Sequence, residues 1–81
     1  MERKVGYTIK ETKHLHFIVK ALKPRTVVVA VINKSHNDEI GEIEWYVPWR
    51  QYCFCPDSWT VWNVTCLTDV AEVITILKDS K

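Results

Sequence analysis

Glycine is scarce in this chain, with Gly6 and Gly41 the only two in 81 residues. That excludes a glycine-rich phosphate loop, whose backbone needs several glycines close together to wrap a phosphate. Cysteine is scarce and odd in number (Cys53, Cys55, Cys66), whereas small secreted scaffolds carry even sets for disulfides. Reduced thiols in a cytoplasm are therefore expected. No apolar stretch approaches the roughly 20 residues a membrane-spanning helix needs. The longest, Val27 to Ile32, lies between Arg25 and Asn33 and reads as a strand. The opening MERKVGYTIKE places charges early with no apolar run behind them, unlike a secretory leader. Repeats, low-complexity tracts and Gly/Ser linkers are also missing, so one domain over 1–81 is expected.

What is present is ordinary for a folded protein: 47% hydrophobic and 26% charged residues, far from the composition of disordered chains. The net charge of +1 conceals a division. Residues 1–34 carry eight Lys or Arg against two acids, and the remainder carries three against eight, balances of +6 and −5. Two readings follow: a basic face that meets phosphate or an acidic partner, or basic strands whose side chains pair with an acidic neighbouring strand. The second is preferred, because the charge is spread thinly over more than thirty residues.

Along the chain, Val5, Tyr7 and Ile9 alternate with polar positions, as in an edge strand. From His14 to Leu22 the positions of Leu15, Phe17, Val19 and Ala21 form an apolar face, with Ile18 an exception on the other. Pro24 and Arg25 mark a turn, and TVVVAVIN, apolar on both faces, reads as the central strand. After the turn residues KSHND, the segment EIGEIEWYV sets Ile43, Trp45 and Val47 opposite Glu42 and Glu44, until Pro48 breaks it. RQYCFC reads as a short further strand, ended by Pro56.

Beyond the turn PDS the spacing changes from two to about three and a half, which predicts a helix capped at Asn63 or Thr65. Leu67, Val70, Ala71, Ile74 and Leu77 form its expected buried stripe, widened by Val73 and Ile76. The fold class that follows is α+β: a three- to four-stranded antiparallel meander with one C-terminal helix on one face (ββββα). A single helix leaves the other face of the central strand uncovered. That implies an N-terminal segment or another chain there, a homodimer among the candidates.

Aromatic residues concentrate in WYVPWRQYCF. Trp45, Tyr52 and Phe54 have core-facing phases and are assigned to the core. Tyr46, Trp49 and Arg50, near the Pro48 turn, are left as candidates for recognition, being residue types that dominate binding hot spots. The same stretch carries a resemblance. Trp45, Tyr46, Pro48, Trp49, Arg50, Tyr52, Cys53, Phe54 and Pro56, then Trp62, Asn63, Cys66, Leu67 and Asp69, form a pattern that resembles short uncharacterised proteins of bacteriophages, prophages and their bacterial hosts. It covers about the C-terminal half and brings no catalytic residues with it. Cys55 stands where an aromatic is expected and Val47 where glycine is common, and the first departure argues against Cys53 and Cys55 as a family metal pair.

His14 and His16, with Cys53 and Cys55, have residue types that bind zinc, but standard sites space cysteines by two to four residues and C-x-C with H-x-H matches no standard finger. No metal or cofactor is expected. No base stands near Cys53 or Cys66 in sequence to activate a thiolate, and Glu42 and Glu44 read as a solvated pair, so no enzyme is expected. The leading expectation is a small non-enzymatic interaction protein, of phage or prophage type. It binds a protein partner or itself through a sheet face and the aromatic/Arg turn, in the host cytoplasm if phage-encoded. The alternative is a nucleic-acid binder using the basic N-terminal strands, with Lys20, Lys23 and Arg25 among its contacts alongside Lys10 and Lys13. Neither reading calls for a membrane or a small-molecule substrate.

Overall fold

The computed structural model describes residues 4–79; of the charges counted above, Glu2, Arg3 and Lys81 lie outside them. Five strands follow in order: β1 (Thr8–Glu11), β2 (Leu15–Leu22), β3 (Val27–Asn33), β4 (Asp38–Tyr46) and β5 (Gln51–Pro56). Each pairs antiparallel with the next, giving a meander β1-β2-β3-β4-β5. A 3₁₀ turn, Val47–Trp49, joins β4 to β5, and the helix α1 (Val64–Asp79) closes the chain. The expected three to four strands are corrected to five. The edge strand β1, four residues long and charged, pairs with β2 through Thr8, Lys10 and Glu11, so short charged edge segments still complete a sheet.

Odd positions up to Val19 in β2 and up to Val31 in β3 point to the helix. Leu15, Phe17 and Val19 meet Val29, Val31 and Ile43 in the core, under Val70, Val73 and Leu77 of α1. Three register irregularities insert an extra residue, at Ile9, Lys20 and Ile40. Ile9 and Ile40 both turn toward the core, as bulges commonly re-aim a side chain. The irregularity at Lys20 corrects the expected face of Ala21, which pairs with Val28 on the outer side instead.

The Asn63 Oδ1 accepts the Cys66 N–H at 2.9 Å, so Asn63, not Thr65, caps the helix. Such a cap is worth about 1 kcal/mol. The buried stripe is rotated from the expected one. Val70, Val73 and Leu77 are buried and Cys66 and Ile74 half-buried, while Leu67 and Ala71 face outward. Apolar residues surround most of this helix, so period alone admits more than one rotation; packing against β5 and β2 selects this one. No helix among the described residues is long and apolar enough to cross a membrane.

The outer face of the sheet is apolar only at its centre. Val28 and Ala30 are buried, at 7% and 6% exposure, and Ile18 and Ile32 are half-buried. Lys20 reaches over β3 to both Glu39, at 2.9 Å, and Glu42. The extra residue at Ile40 brings these two acids, three apart in sequence, to one face. Their hydrogen bonds raise the pKa of the Lys20 ammonium. The aliphatic stem of such a lysine covers apolar surface while its head stays wet. The uncovered face inferred above is thus a small apolar centre framed by charge.

A cationic groove as the candidate functional site

At one end of the inner face, the layer between sheet and helix stays open. A groove of about 970 Å³ lies between the β2–β3 turn, the β4–β5 turn and the last turn of α1. Its lining includes Val27, Trp45, Tyr52, Ile74 and Leu77, and its basic residues are Lys23, Arg25, Arg50 and Lys78. No carboxylate lines it. Among the described residues none of these four cations makes an ion pair.

Local structure explains the placement of each group. Lys23 N–H donates to Thr26 O at 2.9 Å, closing the tight turn that carries Lys23 and Arg25. Arg50 caps the 3₁₀ turn in the left-handed conformation, φ 51° and ψ 46°, with its N–H on Val47 O. A residue with a Cβ pays roughly 1–2 kcal/mol there. Lys78 sits on the last turn of the helix, where it offsets the negative end of the macrodipole. Trp45 and Tyr52 face each other across β4 and β5 as a cross-strand pair, rings T-shaped at 5.4 Å. The Tyr52 hydroxyl accepts the Val27 N–H at 3.3 Å, fixing the ring at the start of β3.

Of the residues singled out in the sequence, the structure brings Lys23, Arg25 and Arg50 together here. Lys20 is not among them; it lies on the outer face in its ion pairs. Tyr46 and Trp49 stand beside the groove, T-shaped on one another at 5.2 Å and exposed, without lining it. Trp45, assigned above to the core, is half-buried and lines the groove instead. Lys78 and Gln51 were missed, since nothing in their local sequence marks them. Only the meander order brings them beside the Pro24 turn.

The other basic residues with partners use acids from elsewhere in the chain. Lys10 pairs with Glu72 of α1, and Lys34 pairs with Glu11 at 2.7 Å, holding the Glu11 carboxyl below its ordinary range. The zinc-type residues do not converge. His16, on β2, shares a hydrogen bond with Thr8, while Cys53 and Cys55 lie on β5. Three strand spacings separate β2 from β5, about 14 Å, too far for one ion. Burial, then the Glu44 carboxylate, pushes the Cys55 thiol up, so it stays protonated at neutral pH.

The chain is 31% identical over 74 residues to an uncharacterized 9.3 kDa protein of Acholeplasma phage L2, an alignment spanning 90% of this chain and 95% of that protein. The chain belongs to the same family as this phage protein. No family model matches the chain, and no solved structure matches it. The phage relationship fits the resemblance carried by the Trp45 to Asp69 pattern at the level of a phage-type protein.

Proposed function

We propose that this phage-family protein is a non-enzymatic interaction module that holds an anionic partner in the groove between its sheet and the end of its helix. One observation carries the reading: four cations that make no ion pair among the described residues surround an aromatic and aliphatic floor, with no acid in the lining. A cleft lined by one sign of charge over low-dielectric walls focuses its field and draws in the opposite charge.

The test is titration with two labelled polyanions, an oligo(dT) and a poly-glutamate peptide, followed by fluorescence anisotropy at low and at raised salt. Saturable, salt-weakened binding to at least one is expected, lost in the Lys23→Ala/Arg25→Ala/Arg50→Ala protein. Failure of both polyanions to bind at low salt overturns the reading.

A second reading has its own observation. Trp59, Val61 and Val64 are almost fully exposed, and Leu67 follows on the same stretch into α1. Trp59 also adopts a left-handed backbone, φ 66°. Exposed apolar residues concentrated in this way favour a protein contact. A sedimentation coefficient that rises with concentration and is flattened by Trp59→Ser/Val61→Ser is expected if copies of this chain meet there; a concentration-independent value counts against it.

A further inference from the structure

We infer that the occupant of the groove is a single-stranded nucleic acid, with a base stacked at Trp45 and phosphates on the surrounding cations. This rests on the reading of the groove as an anion site and goes one step further, to the chemistry of the ligand.

Charge alone does not separate a nucleic acid from an acidic protein segment; the floor does. Trp45 and Tyr52 meet edge to face, at 83° between ring planes, an arrangement that leaves at least one face of each ring free of the other. Trp45 is half-buried and lines the groove, so its side is fixed by Tyr52 and still reachable. A fixed aromatic beside cations is the arrangement on which single strands bind: each base brings a flat π face, and each linkage brings one negative charge. A glutamate chain brings the charge without the face. A duplex keeps its base faces stacked inside and offers none of them to such a floor.

The cations are distributed as a threaded strand requires. Lys23 and Arg25 come from the β2–β3 turn, Arg50 from the β4–β5 turn and Lys78 from the helix, so positive charge reaches the floor from three separate elements. A volume of about 970 Å³ lies at the upper end for pockets that enclose one small molecule. An extended segment entering and leaving suits it better than a single compact ligand. Stacking and phosphate contacts tolerate any sequence, so recognition is of the single strand.

The experiment compares five probes by anisotropy competition on the intact protein: oligo(dT), oligo(U), an abasic phosphodiester strand of equal length, a DNA duplex and the poly-glutamate peptide. Oligo(dT) or oligo(U) is expected to bind about tenfold more tightly than the abasic strand and the peptide, and the comparison of the two separates DNA from RNA as the source. With all four cations on phosphates, the logarithm of the binding constant is expected to fall against the logarithm of salt with a slope of about −2.8. Trp45→Leu, which keeps apolar volume and removes the π face, is expected to erase the advantage over the abasic strand, and Trp45→Phe to restore most of it. Circular dichroism of both variants checks the fold. Poly-glutamate or duplex binding as tight as the single strands, or an advantage unchanged by Trp45→Leu, overturns the nucleic-acid assignment and leaves the anion site standing. No binding by any probe overturns both.

Discussion

Two aromatic pairs involve the inner face of the β4–β5 hairpin, Trp45 with Tyr52 within it and Phe54 with Trp62 of the following loop, and they differ in what covers the hairpin ring. Toward the helix N-terminus, Phe54 packs against Trp62 at 4.5 Å, and the Trp62 indole is held by Thr60 Oγ1 at 2.8 Å. Gly41 makes this packing feasible: a Cβ there would lie 2.7 Å from the Phe54 ring. Toward the helix C-terminus, Trp45 and Tyr52 pair in the same edge-to-face manner, but both line an open groove ringed by four cations. The same residue types thus serve stability at one end and stay available at the other. What distinguishes the ends is whether the chain crosses back over the pair, as the loop with Trp62 does for Phe54.

If that contrast is right, substitutions at the two ends separate stability from binding. The largest effect is expected at the sealed end. Phe54→Ala removes the ring from Trp62 and is expected to cost about 3 kcal/mol of stability, read from denaturant midpoints, with the affinity of the folded fraction for oligo(dT) unchanged. Gly41→Ala forces the Phe54 ring aside and is expected to cost about 2 kcal/mol, again with binding intact. A loss of binding in either protein at temperatures where it is folded would mean the two ends are coupled and the contrast false.

At the open end the expected signs reverse. Arg50→Gly releases the left-handed strain and is expected to hold or raise stability by up to about 1 kcal/mol. It removes one cation from the rim, so affinity falls and the salt slope shrinks by about 0.7. Lys20→Met tests whether any cation would do. It breaks the outer-face bridge to Glu39 and Glu42, so the thermal midpoint is expected to fall while affinity and salt slope stay as in the parent protein. The smallest effect is expected at Glu11, an exposed group whose folded pKa is held below the ordinary 4.5, first by its hydrogen bond to Lys34 and then by that charge. A depressed carboxyl adds stability above its unfolded pKa and loses it as pH falls through the folded value. Glu11→Gln is therefore expected to lower the midpoint slightly at neutral pH, with the difference closing below pH 4.5.

Much of the scaffold was legible in the sequence because its signals are local. Alternation set Leu15, Phe17 and Val19 on the inner face, the β-branched run marked the central strand, and the change of period with Asn63 or Thr65 as cap announced the helix, the structure choosing Asn63. The errors arose where a local signal was ambiguous or overridden. Ala21 changed face because Lys20 is an extra residue in its strand pair. The helix stripe was turned because Leu67 and Ala71 fit the period as well as Cys66 does; Val73, expected only to widen the stripe, lies at its centre. The groove was legible only in fragments. Lys23, Arg25 and Arg50 stood out as residue types, but Lys78 lies far along the chain, and their meeting depends on antiparallel order and on where the helix ends. Trp45 has the phase of a core residue and yet lines the groove; periodicity reports the face of a strand, not whether anything lies above it.

The four tryptophans report directly on the central claim, because each indole N–H gives its own signal in a ¹⁵N-correlated NMR spectrum. Trp45 lines the groove, Trp49 stands beside it, Trp59 projects into solvent and Trp62 is packed on Phe54 at the far end. On titration with oligo(dT), the Trp45 indole is expected to shift most and saturably, with Trp59 and Trp62 still. A Trp45 signal that stays in place while Trp59 or Trp62 moves would contradict the account.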